Sequence, residues 1–265
     1  MTVLMGAIPQ GEPESVEDGK KKLHKFKQPI PIPSYLMAIA AGKLESRKVG
    51  PRSQVWSEPD VVDAAAAKLS DTEDLLKIAE GLSGPYVWGI YDILVLPPSY
   101  AYSGMENPCL TFISPHALKG EKAHVSLMAH EIAHSWTGNL VTNENFEHFW
   151  INEGFTMFVG RRIQVLVSGG KAMESLEALE DWKQLENYVN EVVTKDHPLT
   201  SLVVNLAGLD PDDSFNPTPY YKGSAFLWYL EDIVGGPSIM SEFLKSYYTS
   251  FAYKSLDSLK FQTHF

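Results

Sequence analysis

His130 and His134 stand four residues apart in Met128–Asn139, MAHEIAHSWTGN, with Glu131 directly after the first. On a helix, residues i and i+4 leave the same face, so both imidazoles can aim a nitrogen at one point. That point suits a metal ion, although five letters alone also fit two ordinary hydrogen-bonded helix histidines. Catalytic zinc takes three protein ligands and keeps one position for water, so a third donor is required. Glu153, in WINEG, supplies it: 18 residues separate it from His134. That is enough for one helix to end and a second, starting near Asn145, to return with Glu153 about two turns in.

The chemistry follows from the residue types. Zinc held by two imidazoles and a carboxylate brings the pKa of its water to about 7 and polarises a carbonyl. Glu131, rotated off the ligand face, can reach that water as general base and pass the proton to the leaving amine. The reaction class is metal-assisted hydrolysis. Upstream, Glu106 in SGMEN can pair with a free α-ammonium and fix the first peptide bond over the metal. Read from its position alone, a glutamate at a strand end is more often a solvated surface charge.

The elements that must hold these groups are readable in outline. The 265 residues, 44% hydrophobic and 21% charged, describe a soluble globular protein without an apolar run long enough to span a membrane. A net charge of −11, with only the short KKKLHKFK cluster at Lys20–Lys27, argues against nucleic acid. The amino terminus has no basic n-region and carries Pro9, and the single Cys109 cannot form an intramolecular disulfide; cytoplasm is the expected compartment. Strands are expected in TVLMGAI and SYLMAIAAGKLES, one amphipathic helix in PDVVDAAAAKLSDTEDLLKIAEGL, then strands in VWGIYDILVLP and AYSGMENPCLTFIS. The zinc helix runs through EKAHVSLMAHEIAHSWTG, with Gly138 as C-cap, and the remainder is nearly all helical with a break at Gly235-Gly236-Pro237. His124 and His148 fall off the ligand pattern, as surface or supporting residues. Cys109 reads as a small buried hydrophobe, and FLWYL, Phe226–Leu230, as core.

HEIAH, the 18-residue spacing to Glu153 and the upstream GMEN resemble the gluzincin zinc aminopeptidases. PRSQVWSEPD, LLKIAEGLSGPYVWGIYDILVLPPSY, SGMENPCLTF, HSWTGNLVTN, HFWINEGFT and PYYKG narrow the likeness to the leukotriene A-4 hydrolase and aminopeptidase B branch, across essentially the whole chain. The resemblance implies an α+β fold: a thermolysin-like catalytic domain, mostly helical with a small sheet, over residues 51–265, preceded in residues 1–50 by remnant strands of a β domain. It implies one zinc ion on His130, His134 and Glu153, Glu131 as general base, and Glu106 on the substrate's amino group. It implies Gly104 and Met105 as backbone contacts to the peptide and Tyr220, not Tyr221, as the group that stabilises the oxyanion. Asp212, in DPDD, matches an acidic substrate-binding residue and is equally an ordinary loop carboxylate. The implied substrates are peptides with a free amino terminus and, as a second class, the epoxide of leukotriene A-4.

Two departures bear on this. Ser103 stands where the pattern begins with glycine, and Phe215 where leukotriene A-4 hydrolases carry a tyrosine lining the lipid pocket. The resemblance also implies a carboxy-terminal helical domain, and the expectation is that it is absent from these 265 residues. A rival expectation is therefore kept: a truncated, non-catalytic product that at most binds zinc or a partner.

Overall fold

The computed structural model describes residues 1–120, 123–168 and 170–265. The chain forms two compact units, residues 1–77 with 86–131 and residues 78–85 with 132–265. Each is taken by itself below.

The first unit is largely β. Strands β1 (Thr2–Met5), β2 (Ile8–Pro9), β3 (Glu14–Val16), β4 (Lys21–Leu23), β5 (Phe26–Lys27), β6 (Ile39–Gly42), β7 (Glu45–Lys48) and β8 (Gln54–Ser57) precede helices α1 (Pro59–Lys68) and α2 (Thr72–Ser83). Strands β9 (Asp92–Val95), β10 (Gly104–Met105) and β11 (Leu110–Ile113) follow, and then α3 (Ala123–Ala133). Among the described residues β1 pairs with β6, β2 with β5 and β3 with β4, while a five-stranded mixed sheet runs β10-β11-β9-β8-β7. Its centre, β9, is buried along its whole length, as a strand covered on both faces must be. Strands β7 and β8 pair antiparallel, Lys48 opposite Gln54, across the expected boundary at residue 50.

Three expectations of detail differ. SYLMAIAAGKLES is not one strand: Ser34–Leu36 is a 3-10 turn, and β6 and β7 follow it. The single helix over residues 59–82 is two, broken at Leu69, Ser70 and Asp71, with the Thr72 hydroxyl donating to the Leu69 carbonyl. The GMEN segment is two strands, not one, so Gly104 and Met105 lie on the sheet's edge.

Asp92 in β9 ties this sheet together. Its carboxylate accepts from Gln54 N at 3.0 Å and from Trp56 Nε1 at 2.9 Å, yet burial dominates and raises its pKa from 3.8 to about 6. The folded chain then holds this proton more tightly than the unfolded chain. The contribution to stability is greatest below pH 4 and is lost as pH rises through 6, by about 2 to 3 kcal/mol. Urea midpoints should record that decline against the general trend for carboxylates, and Asp92→Asn should flatten it.

The second unit is helical. Strand β12 (Val141–Asn143), α4 (Trp150–Ser168), α5 (Lys171–Asn187), α6 (Gly223–Val234), α7 (Pro237–Phe251), β13 (Lys254–Leu256) and α8 (Ser258–His264) make it up, with wide π-type turns at Tyr188–Val193 and Thr218–Lys222. The expected break holds: Gly235 is left-handed, φ 103°, and ends α6. Strand β13 had no sequence signal; it pairs parallel with β12. The core is aromatic: Trp150 packs on Phe155, Phe226 and Phe261, and Phe155 stacks on Tyr247 at 4.8 Å. Trp150 Nε1 also donates to Ser258 Oγ at 2.9 Å, so the start of α4 is anchored by packing and a directed bond. FLWYL is core only in part, since Leu227 is fully buried while Tyr229 is 61% exposed.

Candidate metal and substrate site

Helix α3 is set by its apolar face: Met128, Ala129, Ile132 and Ala133 are fully buried. The helix ends at Ala133, five residues before the expected Gly138 cap, because Ser135, Trp136 and Thr137 close tight turns on Ile132 and Ala133. Gly138 does its work in that turn instead, at φ 115°. His134 therefore sits just past the helix. His130, in the first unit, lies half-buried in the last turn of α3.

The turn has a second effect. It carries the Thr137 carbonyl back to His134 Nδ1 at 2.9 Å, with Thr156 Oγ1 at 3.0 Å from the same nitrogen. A carbonyl has no proton to give, so Nδ1 is the donor there, and in the neutral ring Nε2 is the nitrogen that carries the lone pair. That Nε2 faces Glu153 Oε2 at 3.4 Å, both groups buried. Two electron-pair donors pointed at one space in a dry interior call for a cation between them, which is the chemistry zinc meets with imidazole and carboxylate. Glu153 arrives there in the first turn of α4, not two turns in, because Phe146–His148 is a separate 3-10 turn capped by Asn145. A carboxylate in a first helical turn is also favoured by the helix dipole. Thr137 and Thr156, which orient His134, had no signal in the sequence beyond the rule that metal-bound imidazoles are held by a partner.

In the first unit, Glu131 and Glu106 are both buried and bring carboxylate oxygens within 4.8 Å of each other. Burial, then the charges of Glu131 and Glu106, push the Tyr100 phenol up; burial does the same to Tyr91, with a smaller push from Glu131. Neither tyrosine was a sequence candidate. Strand β10 runs beside Glu131 so closely that a methyl group at Gly104 would overlap its Oε1 and Cδ. This close approach, rather than a turn, explains the glycine. Gly104→Ala is expected to push Glu131 aside and lower kcat by about 10- to 100-fold with zinc content unchanged, measured by steady-state assay and elemental analysis. An unchanged kcat would mean that the Glu131 carboxylate has no fixed seat to lose.

Tyr220 lies in the wide turn before α6, with its ring edge-on to Phe149 and to Phe215, both at 6.1 Å. Phe149 is the residue before α4. Asp212 is exposed on the 3-10 turn Pro211–Ser214, its N–H donating to Asp210 Oδ1. Of the two other histidines, His124 is buried with Nε2 3.5 Å from Asp71, and His148 Nδ1 lies 2.9 Å from Ser258 Oγ; both support structure. Cys109 is buried as expected, and burial raises its thiol to about 11. No helix among the described residues is long and apolar enough to cross a membrane.

Comparison with known proteins bears on these groups together. The profile of the Peptidase family M1 domain matches residues 68–265. The chain is 50% identical over 256 residues to leukotriene A-4 hydrolase of Xenopus laevis, covering 97% of this chain and 42% of that one. It is 44% identical over 255 residues to leucine aminopeptidase 2 of Neurospora crassa, covering 96% and 38%. Among solved structures, native leukotriene A4 hydrolase from Saccharomyces cerevisiae superposes with a TM-score of 0.91 at 38% identity, over 99% of this chain and 41% of that one. An M1 zinc metallopeptidase from Deinococcus radiodurans shares the fold, with a TM-score of 0.77 at 20% identity over 99% and 57%. The chain spans about two fifths of the length of the curated relatives it matches.

Proposed function

Because the chain belongs to peptidase family M1, we propose that it carries the catalytic site of a zinc-dependent aminopeptidase, with His130, His134 and Glu153 as the ligands of one zinc ion. The observation that carries this reading is the His134 Nε2 lone pair directed at Glu153 Oε2, 3.4 Å away, with Nδ1 occupied by the Thr137 carbonyl. When bound, zinc supplies Lewis-acid polarisation of the scissile carbonyl and a water acidified to about pKa 7.

The chain's own residues do the rest. Glu106 pairs with the substrate's α-ammonium and fixes which peptide bond is presented. Gly104 and Met105, on the sheet's edge strand, offer backbone groups to which an extended peptide can add as a further strand. Glu131 accepts a proton from the attacking water and returns it to the leaving amine, so the carboxylate is regenerated each turnover. Tyr220 donates a hydrogen bond to the oxyanion. Asp212 contributes to the substrate's first side chain from an exposed position. Peptides with a free amino terminus are the proposed substrates; the relative named leukotriene A-4 hydrolase extends the proposal to a lipid epoxide, with Phe215 beside Tyr220 as the residue that would modulate it. The same reading assigns residues 1–50 to the end of a preceding β domain and the chain to the cytoplasm.

The test is hydrolysis of an amino-acid arylamide by the purified chain, with zinc counted by elemental analysis. One zinc per chain with turnover that stops on chelation and returns with zinc supports the proposal. A folded, zinc-loaded chain without turnover supports the non-catalytic rival, and a folded chain that takes no zinc removes the ligand assignment.

A further inference from the structure

Gly154 and Gly223 touch backbone to backbone. A Cβ built on Gly154 would stand 2.7 Å from Gly223 Cα, 2.9 Å from Gly223 C and 3.1 Å from the Pro219 carbonyl oxygen. A Cβ built on Gly223 would stand 2.8 Å from Gly154 Cα and 3.4 Å from Trp150 Cβ. Neither glycine is needed for its conformation: Gly154 is inside α4, and Gly223 has φ −61°, an ordinary helical value. Glycine in a helix is unfavourable, so two of them facing each other are explained by the close approach they permit. The atoms in the way are backbone, which cannot swing aside as a side-chain tip can.

The neighbours of these glycines are the groups that matter. Gly154 follows Glu153 directly, and Gly223 is three residues after Tyr220, where the wide turn Thr218–Lys222 runs into α6. Resting on the reading above, we propose that the Gly154–Gly223 contact is the spacer that holds the Tyr220 hydroxyl at working distance from an oxyanion developing beside Glu153. Gly223 and Gly154 are positioning residues, and Tyr220 is the catalytic group through which they act. The start of α4 is pinned by Trp150 and Ser258, so a methyl group at the contact moves the turn bearing Tyr220 rather than the ligand. An error of about 1 Å at such a hydrogen bond is worth about 100-fold.

The experiment measures binding of an aminophosphinic dipeptide, a stable tetrahedral mimic, to the zinc-loaded chain by calorimetry, with zinc content and thermal melting recorded. Gly223→Ala, Gly154→Ala, Tyr220→Phe and the double variant Gly223→Ala/Tyr220→Phe are compared. Gly81→Ala, whose Cβ would meet nothing within 4 Å, is the control. Expected are one zinc per chain throughout, binding about 10- to 100-fold weaker in each glycine variant and in Tyr220→Phe, and the double variant within about 3-fold of Tyr220→Phe alone. Losses that multiply in the double variant overturn the proposal, as does unchanged binding in Gly223→Ala. Failure of both alanine variants to fold also overturns it, making the contact a folding determinant. If the unmutated chain binds neither zinc nor the mimic, or Tyr220→Phe binds like it, the underlying reading falls and takes this one with it.

Discussion

Glu131→Gln is expected to lower kcat by about 1,000-fold or more while zinc stays at one per chain. Glutamine has nearly the same shape, so the buried seat beside Gly104 is kept, but an amide cannot accept the proton that the attacking water must lose. General-base catalysis accounts for about 10²- to 10⁴-fold, and in the proposed reaction the same group also protonates the leaving amine, which argues for the upper part of that range. Stability should be unchanged or slightly higher, because the substitution removes one of two buried carboxylates that lie within 4.8 Å of each other. Arylamide turnover, elemental analysis and a thermal melt read the three parts separately. Retained turnover would move the general base elsewhere; lost zinc would mean that Glu131 serves the metal.

His134→Ala is expected to reduce zinc to near zero and to weaken the fold even when metal is absent. The first effect follows from losing the donor whose Nε2 faces Glu153. The second follows from burial: His134 is 1% exposed, and its Nδ1 proton is shared by the Thr137 carbonyl and the Thr156 hydroxyl. Truncation leaves a void and removes one of the two donors to the Thr137 carbonyl, Thr156 Oγ1 at 2.9 Å being the other, a cost of about 2 to 4 kcal/mol by urea unfolding of the metal-free chain. His130→Ala should release zinc equally with a smaller penalty, since His130 is only half-buried. In chelator the two variants would differ in stability but not in activity. Zinc retained at one per chain in either would remove that residue from the ligand set.

The proposed metal ligands and Glu131 were legible from types and spacings, whereas Gly104, Met105, Tyr220 and Asp212 came only from the family resemblance, and Glu106 gained its role from it. The four-residue interval between His130 and His134 pointed to a shared ligand face on the expectation of a continuous helix, and 18 residues to Glu153 allow a return. The existence of the helix carrying His130, the Gly235 break and the burial of Cys109 were legible because they depend on local periodicity and on backbone preferences of single residues. What local pattern could not decide was where helices stop. Leu69 divides one amphipathic run into two helices, and α3 ends at Ala133 because Thr137 turns the chain back, an outcome set by hydrogen bonds that no periodicity announces.

Other features belong to tertiary structure entirely. The orientation of His134 depends on Thr156, 22 residues away, and the seat of Glu131 depends on Gly104, which reaches it from the edge of a sheet. The contact of Gly154 with Gly223 joins residues 69 apart, and strand β13 exists because β12, more than 100 residues earlier, offers it a ladder. Sequence by itself determined which groups are chemically able to act, since ionisation and coordination are properties of side chains. The tertiary structure alone decided their distances and tautomer, because those come from packing and hydrogen bonds between segments far apart in the chain.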